Sequence, residues 1–180
     1  MAMTLITNSA DTDSTDLTSV AFTSSIDSTY RLYIFKFIDI NPATDGADWQ
    51  FNGSIDAGSN YNVEKTTTSV KIYNAESSGT PAIVYDTTND LATSTAYKSL
   101  GMDIGNGADE SLAGTLWLFN PSDTGYLKHF YSTVTYAQST GVESRYCGGY
   151  LKDSDDNIDA VSFKMSTGNF DGTIKMYGVG

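Results

Sequence analysis

Ala160-Val161-Ser162-Phe163-Lys164-Met165, followed by the turn Ser166-Thr167-Gly168-Asn169-Phe170-Asp171-Gly172 and by Thr173-Ile174-Lys175-Met176-Tyr177-Gly178-Val179, decides the fold class. Val161, Phe163 and Met165 fall on one side of the first stretch and Ser162 and Lys164 on the other, while Ile174 and Met176 oppose Thr173, Lys175 and Tyr177 in the second. Side chains alternate across an extended chain, so each stretch reads as a half-buried antiparallel strand. The linking segment is too long for a two-residue hairpin but rich in residues that tolerate positive φ. The chain is expected to finish on this strand pair, without a C-terminal tail.

The same patterning extends toward the N-terminus. Ser19–Ser24 reads as a short strand around Val20 and Phe22, and Trp49 and Phe51 open another. In Tyr30–Ile40, Leu32, Ile34 and Ile38 face one way and Tyr33, Phe35 and Phe37 the other, so this strand is expected to be covered on both sides, one of them by a loop or another subunit. Thr66–Tyr73 is rich in β-branched residues, with Val70 and Ile72 expected inward. Leu112–Asn120, Tyr126–Tyr136 and Ser144–Leu151 complete the set. Gly53–Asn62, Glu76–Pro81 and Gly101–Ser111 read as loops, and Asp86–Ser94 as an excursion holding one helical turn. Roughly eight to ten strands separated by turn signals predict an all-β fold, an antiparallel β-sandwich of jelly-roll type. Residues 1–18 read as an N-terminal arm and lead-in segment, and 19–180 as a single β domain.

The composition agrees. In 180 residues there are 12 Tyr, 8 Phe and 2 Trp, enough to bury one core, and only 3 Pro. A net charge of −12 opposes binding to a phosphate backbone, so nucleic acid is not an expected partner. No stretch reaches membrane-spanning length, and the start Met1–Thr7 lacks the charged and apolar regions of a signal peptide, so neither a membrane nor classical export is expected.

Residues that could carry chemistry have simpler readings. Cys147 is the only cysteine and reads as a buried small hydrophobe, and His129, the only histidine, as a satisfied, partly buried strand residue. Asp153-Ser154-Asp155-Asp156-Asn157-Ile158-Asp159 spaces its oxygens as calcium loops do, but Ile158 stands where such a loop needs Gly and Lys164 where it needs a bidentate Glu, which leaves a solvated turn. Trp49, Trp117 and the tyrosines offer a stacking surface for sugars or, more simply, core; Tyr61 is the better loop candidate. No catalytic residue, metal site or cofactor is expected, and the chain is not expected to be an enzyme; the remote alternative is a carbohydrate-active enzyme, which needs a cleft with opposed carboxylates.

Ile26-Asp27-Ser28-Thr29-Tyr30, Tyr33-Ile34-Phe35-Lys36-Phe37, Asn41-Pro42-Ala43-Thr44-Asp45, Leu118-Phe119-Asn120-Pro121-Ser122, Lys128-His129-Phe130 and the ending Lys164–Gly178 resemble a family of small β-rich proteins of tailed bacteriophages, especially those of marine bacteria. The resemblance implies a jelly-roll virion component: a capsid decoration protein, usually a homotrimer, that clamps the major capsid protein lattice, or a tail-fibre module that meets other tail proteins and a host surface receptor. In the decoration setting Met1–Asp16 would be the arm reaching into the lattice, with Leu5, Ile6, Asp11, Asp13 and Asp16 as contacts.

Overall fold

Period-two alternation builds two antiparallel sheets and nothing else of size. The computed structural model of the chain describes residues 2–8, 16–77, 79–138, 140–152 and 155–180. Numbered in chain order, the strands of the larger sheet lie side by side as β1 (Met3–Asn8), β12 (Phe170–Val179), β3 (Leu32–Pro42), β8 (Leu112–Phe119), β9 (Lys128–Gln138), β10 (Gly141–Leu151), β5 (Lys65–Ala75) and β6 (Ala82–Tyr85). The smaller sheet is ordered β2 (Val20–Phe22), β11 (Ala160–Met165), β4 (Ala47–Ser54) and β7 (Lys98–Ile104). The one helical element among the described residues is a 3-10 turn at Thr87–Asn89, inside the stretch expected to hold a helical turn. Twelve strands among the described residues stand against the eight to ten expected; β6 and β7 are not revealed by the alternation, and β1 lies in the segment expected to be an arm but pairs antiparallel with β12.

Aromatic side chains from both sheets meet between them. Phe163 on β11 lies 5.2 Å from Phe35 and 5.2 Å from Phe37 on β3, measured between ring centroids, and Phe51 on β4 lies 4.8 Å from Phe130 on β9. Trp49 stacks on Phe163 at 5.9 Å and meets Phe170 edge-on at 4.8 Å. All of these rings are buried. Edge-to-face and offset pairs of this kind add to the burial of apolar area that dominates stability.

The two sheets differ in what lies on their other faces. Loops close the outside of the smaller sheet: Asn52, fully buried, donates from Nδ2 to the carbonyls of Tyr61 at 2.7 Å and Thr95 at 3.0 Å, and Lys164 lies over the Tyr97 ring. No described segment crosses the outside of the larger sheet, where Phe119, Tyr131, Val142 and Tyr146 are 41 to 46 % exposed.

One strand faces opposite to expectation. On β5 it is Lys65, Thr67 and Ser69 that point inward, while Val70 and Ile72 point outward. The inward side of β5 lies over the 3-10 turn and β7 instead of the aromatic core, and its polar groups find partners there. Lys65 donates from Nζ to the Ala96 carbonyl at 2.7 Å, and Ser69 accepts from Lys98 Nζ at 2.7 Å. A buried polar side chain with a partner costs little, so a polar stripe can face in.

Candidate functional site

Two features stand apart from the aromatic core: a buried ionic cluster and the open sheet face. In the cluster, β10 supplies Glu143 and Arg145 and β9 supplies Tyr136, all pointing inward by strand alternation. Arg145 donates from Nε to Glu143 Oε1 at 2.5 Å and to Tyr136 Oη at 2.9 Å, and from Nη1 to Asp86 Oδ2 at 2.6 Å. Tyr136 donates its hydroxyl proton to Glu143 Oε1 at 2.5 Å and accepts the Met102 N–H at 3.1 Å. Burial pushes the Tyr136 hydroxyl up, and the hydrogen bond to Glu143 keeps it up, so it remains a protonated donor. Burial also works against ionisation of Asp86, yet hydrogen bonds from Thr88 and Arg145 outweigh it and hold the carboxyl below its ordinary value.

Beside this cluster Lys98 donates from Nζ to Ser69 and to the Asn89 carbonyl, and Ser69 reaches Cys147 Sγ at 3.5 Å. Cys147 is 1 % exposed, and burial pushes its thiol up, away from the reactive thiolate. The Arg145 guanidinium is held by Glu143, Tyr136 and Asp86, and the Cys147 thiol stays protonated. What the arrangement does is tie segment 86–98 to the inner face of β5 and β10. A cleft of about 290 Å³ opens at one end of these strands, lined by Lys71, Tyr73, Asp103, Gln138 and Glu143 among others. Its deepest carboxylate, Glu143, is already engaged by Tyr136 and Arg145.

On the open face, strand register lines side chains up across the sheet. Leu5, Tyr177, Ile34, Trp117 and Tyr131 form one row over β1, β12, β3, β8 and β9. The neighbouring row runs Lys175, Lys36, Thr115, Thr133 and Tyr146 into Val70 of β5. Trp117 and Tyr131 stack at 5.2 Å, and Lys36 donates from Nζ to Thr115 Oγ1 at 2.9 Å while lying 5.8 Å from the Trp117 ring centroid. Gly148 leaves a hollow of about 230 Å³ between Tyr131 and Tyr146. Cross-strand neighbours of this sort are the ordinary unit of sheet stabilisation. Of these rows Leu5, Tyr131 and Tyr146 stay 41 to 47 % exposed, whereas Ile34 and Thr115 are buried.

The residues singled out from sequence disperse. Leu5 joins the open face, 47 % exposed, whereas Ile6 packs against the core. Asp16 is exposed; its N–H donates to Asp171 Oδ1 at 2.9 Å and its carboxylate accepts from Asn169 Nδ2 at 3.2 Å. Asp11 and Asp13 lie outside the described residues, as do Asp153 and Ser154 of the calcium-like stretch. In that stretch Ile158 is core, and Asp159 turns to the Ala57 N–H at 3.0 Å. His129, expected to be partly buried, is exposed beside Tyr150 because Lys128 and Phe130 take the inward positions. Trp49 is core, Trp117 is on the open face, and the Tyr61 hydroxyl is buried. Sequence reasoning missed Tyr131 and Tyr146 as surface groups, although their alternation with inward Ser132 and Cys147 carried the signal. Protein-family models, curated proteins and solved structures offer no match to this chain.

Proposed function

We propose that this chain is a structural component of a tailed-bacteriophage virion, acting without chemistry as a decoration protein on the major capsid lattice. The observation that carries the reading is the open face of the large sheet. A chain whose loops cover the outside of its small sheet, while no described segment covers Phe119, Tyr131, Val142 and Tyr146 on the large one, offers that face to a partner.

Strand order supports a jelly roll as the fold beneath it. The orders β1-β12-β3-β8 and β2-β11-β4-β7 result when one long antiparallel ribbon is wrapped so that β1 and β2 lie against β12 and β11, β3 and β4 against the same pair, and β8 and β7 outside them. The hairpins β5–β6 and β9–β10 are then insertions that widen one sheet. A decoration protein binds the assembled shell and not its precursors, and so stabilises the shell by linkage alone.

Cryo-electron microscopy of virions from the phage carrying this chain tests the reading. Density following icosahedral symmetry on the capsid exterior is the expected result. Density confined to the tail would replace it with a tail-fibre or receptor-binding role, and absence of the chain from purified virions would remove both.

A further inference from the structure

We infer that Lys98 and Asn89 are the two halves of an intramolecular isopeptide bond, formed when the Lys98 amine attacks the Asn89 carboxamide and ammonia leaves, with Asp90 as the carboxyl group that moves the proton. The site lies on the inner side of β5 and β7 and owes nothing to the open sheet face.

The fold brings the two reacting groups to one place. Lys98 opens β7, Asn89 closes the 3-10 turn, and both are buried. Lys98 donates from Nζ to the main-chain carbonyl of Asn89 and, at 2.7 Å, to Ser69 Oγ. Asn89 donates from Nδ2 to the same Ser69 Oγ at 3.4 Å and to the Ser99 carbonyl at 3.0 Å. One serine hydroxyl thus touches both the nitrogen that attacks and the nitrogen that leaves. Groups held together in this way react as a unimolecular pair, with effective concentrations that reach about 10⁵ M or more when orientation is right. Lys65 is the contrast: it is as deeply buried, but the carbonyl it meets belongs to Ala96, which carries no carboxamide.

The proton inventory fits as well. Only a neutral amine attacks a carbonyl carbon, and burial pushes the Lys98 ammonium down against the attraction of Asp90 and Asp86. A carboxylate is needed to carry a proton from Nζ to Nδ2. Asp86 is engaged by Thr88 and Arg145. Asp90 follows Asn89 in the chain; its Oδ2 accepts the Tyr85 hydroxyl, while its Oδ1 is buried without a hydrogen-bond partner. An orphaned buried oxygen costs free energy, and service as the proton carrier accounts for its place. In the reaction the Nζ lone pair forms the bond to Asn89 Cγ, and one Nζ proton passes through Asp90 to Nδ2. The Cγ–Nδ2 bond then breaks and ammonia departs. Amine and carboxamide go to secondary amide and ammonia, with no change of oxidation state and no co-reactant. The product fastens the turn to β7 covalently beneath β5.

Mass spectrometry of the folded full chain, digested with trypsin after denaturation, is the test. Trypsin should fail to cut after Lys98, giving one peptide over 72–128 that is lighter than its sequence by one ammonia, about 17 Da. Fragment ions should place the branch between Asn89 and Lys98. Asn89→Ala and Lys98→Met should restore the sequence mass, and Lys65→Met should keep the deficit. Asp90→Asn, which preserves size, should slow linkage by at least about a hundredfold. Wild type cut normally at Lys98 and carrying its full mass after prolonged incubation overturns the assignment. So does a deficit that hydroxylamine removes while Lys98 stays open to trypsin, which marks a succinimide at Asn89. Linkage at the wild-type rate in Asp90→Asn overturns the role given to Asp90. The wild-type digest decides the bond itself, even if a variant fails to fold.

Discussion

Lys65, Lys98 and Lys128 are fully buried, and each donates to a backbone carbonyl: Ala96, Asn89 and Asp156 respectively. Burial lowers the Lys65 ammonium from 10.5 to about 7 and lowers Lys98 as well. The unfolded chain therefore binds more protons than the folded one between pH 7 and 10.5, and stability must rise with pH across that window. Burial raises the Cys147 thiol from 9.0 and the Tyr136 hydroxyl from 10.0, and their contributions fade only as pH climbs past those values. The clean interval is pH 7 to 9. Lys65 alone should add about 2 kcal/mol of stability over it. Urea denaturation at intervals of pH checks this. Lys65→Met, which keeps the aliphatic stem, should flatten most of the slope and leave only the share of Lys98 that is not amide-linked. A wild-type curve that falls over this interval, or a variant with an unchanged slope, would contradict the assignment.

At the scale of elements, the strands legible in the sequence are those whose buried side is apolar and whose ends carry turn residues. β11 matches its expected bounds, and β2, β3, β8, β9, β10 and β12 lie within a few residues of theirs. β7 was hidden because Lys98, Ser99 and Gly101 break its apolar pattern, and Gly101 reads as the start of a loop. The facing of β5 was misread for a related reason. Alternation says which residues share a face, but which face turns inward depends on partners such as Lys98 and Ala96 that lie far along the chain. The open face was half legible: the double-sided apolar pattern of β3 pointed to cover on both sides, and only the fold shows that no described segment crosses the outer one, where Ile34 is buried by its cross-strand neighbours alone. Local geometry also fixes where β3 and β12 bend. Gly172 has φ +127°, and Asp39 across from it has φ 52°, at matching breaks in register. A Cβ on Gly172 would come within 2.6 Å of the Asp39 carbonyl oxygen and 2.9 Å of Ile40 Cα, both backbone atoms. Gly172→Ala should thus cost at least about 2 kcal/mol by denaturant titration. Gly125→Ala, whose nearest neighbour is a side-chain oxygen at 3.4 Å, should be close to neutral. Equal effects would mean that this bend is not fixed by backbone contact.

For the whole molecule, the distribution of charge separates two ways of using the open face of the large sheet, because they respond to salt with opposite sign. If it holds a second copy, as in the homotrimer that the resemblance implies, the long-range interaction is repulsion between two chains of net charge −12, softened but not removed by Lys36 and Lys175, which sit opposite each other on that face. Added salt shortens the screening length from about 30 Å at 0.01 M to about 3 Å at 1 M, which suppresses that repulsion, while burial of the aromatic rows is little affected. Self-association should accordingly tighten by several-fold as sodium chloride rises from low to near-molar concentration. If instead Lys36 and Lys175 serve to capture an acidic partner, the long-range interaction through the face is attraction, and the same salt series should weaken binding. Sedimentation of the wild type and of Lys36→Gln with Lys175→Gln across the series measures both. Wild-type association that tightens with salt, with the variant following in parallel, places apolar burial at the centre of the contact. Association that loosens with salt and is abolished in the variant would assign the face to ion pairing and exclude a second acidic copy as its occupant.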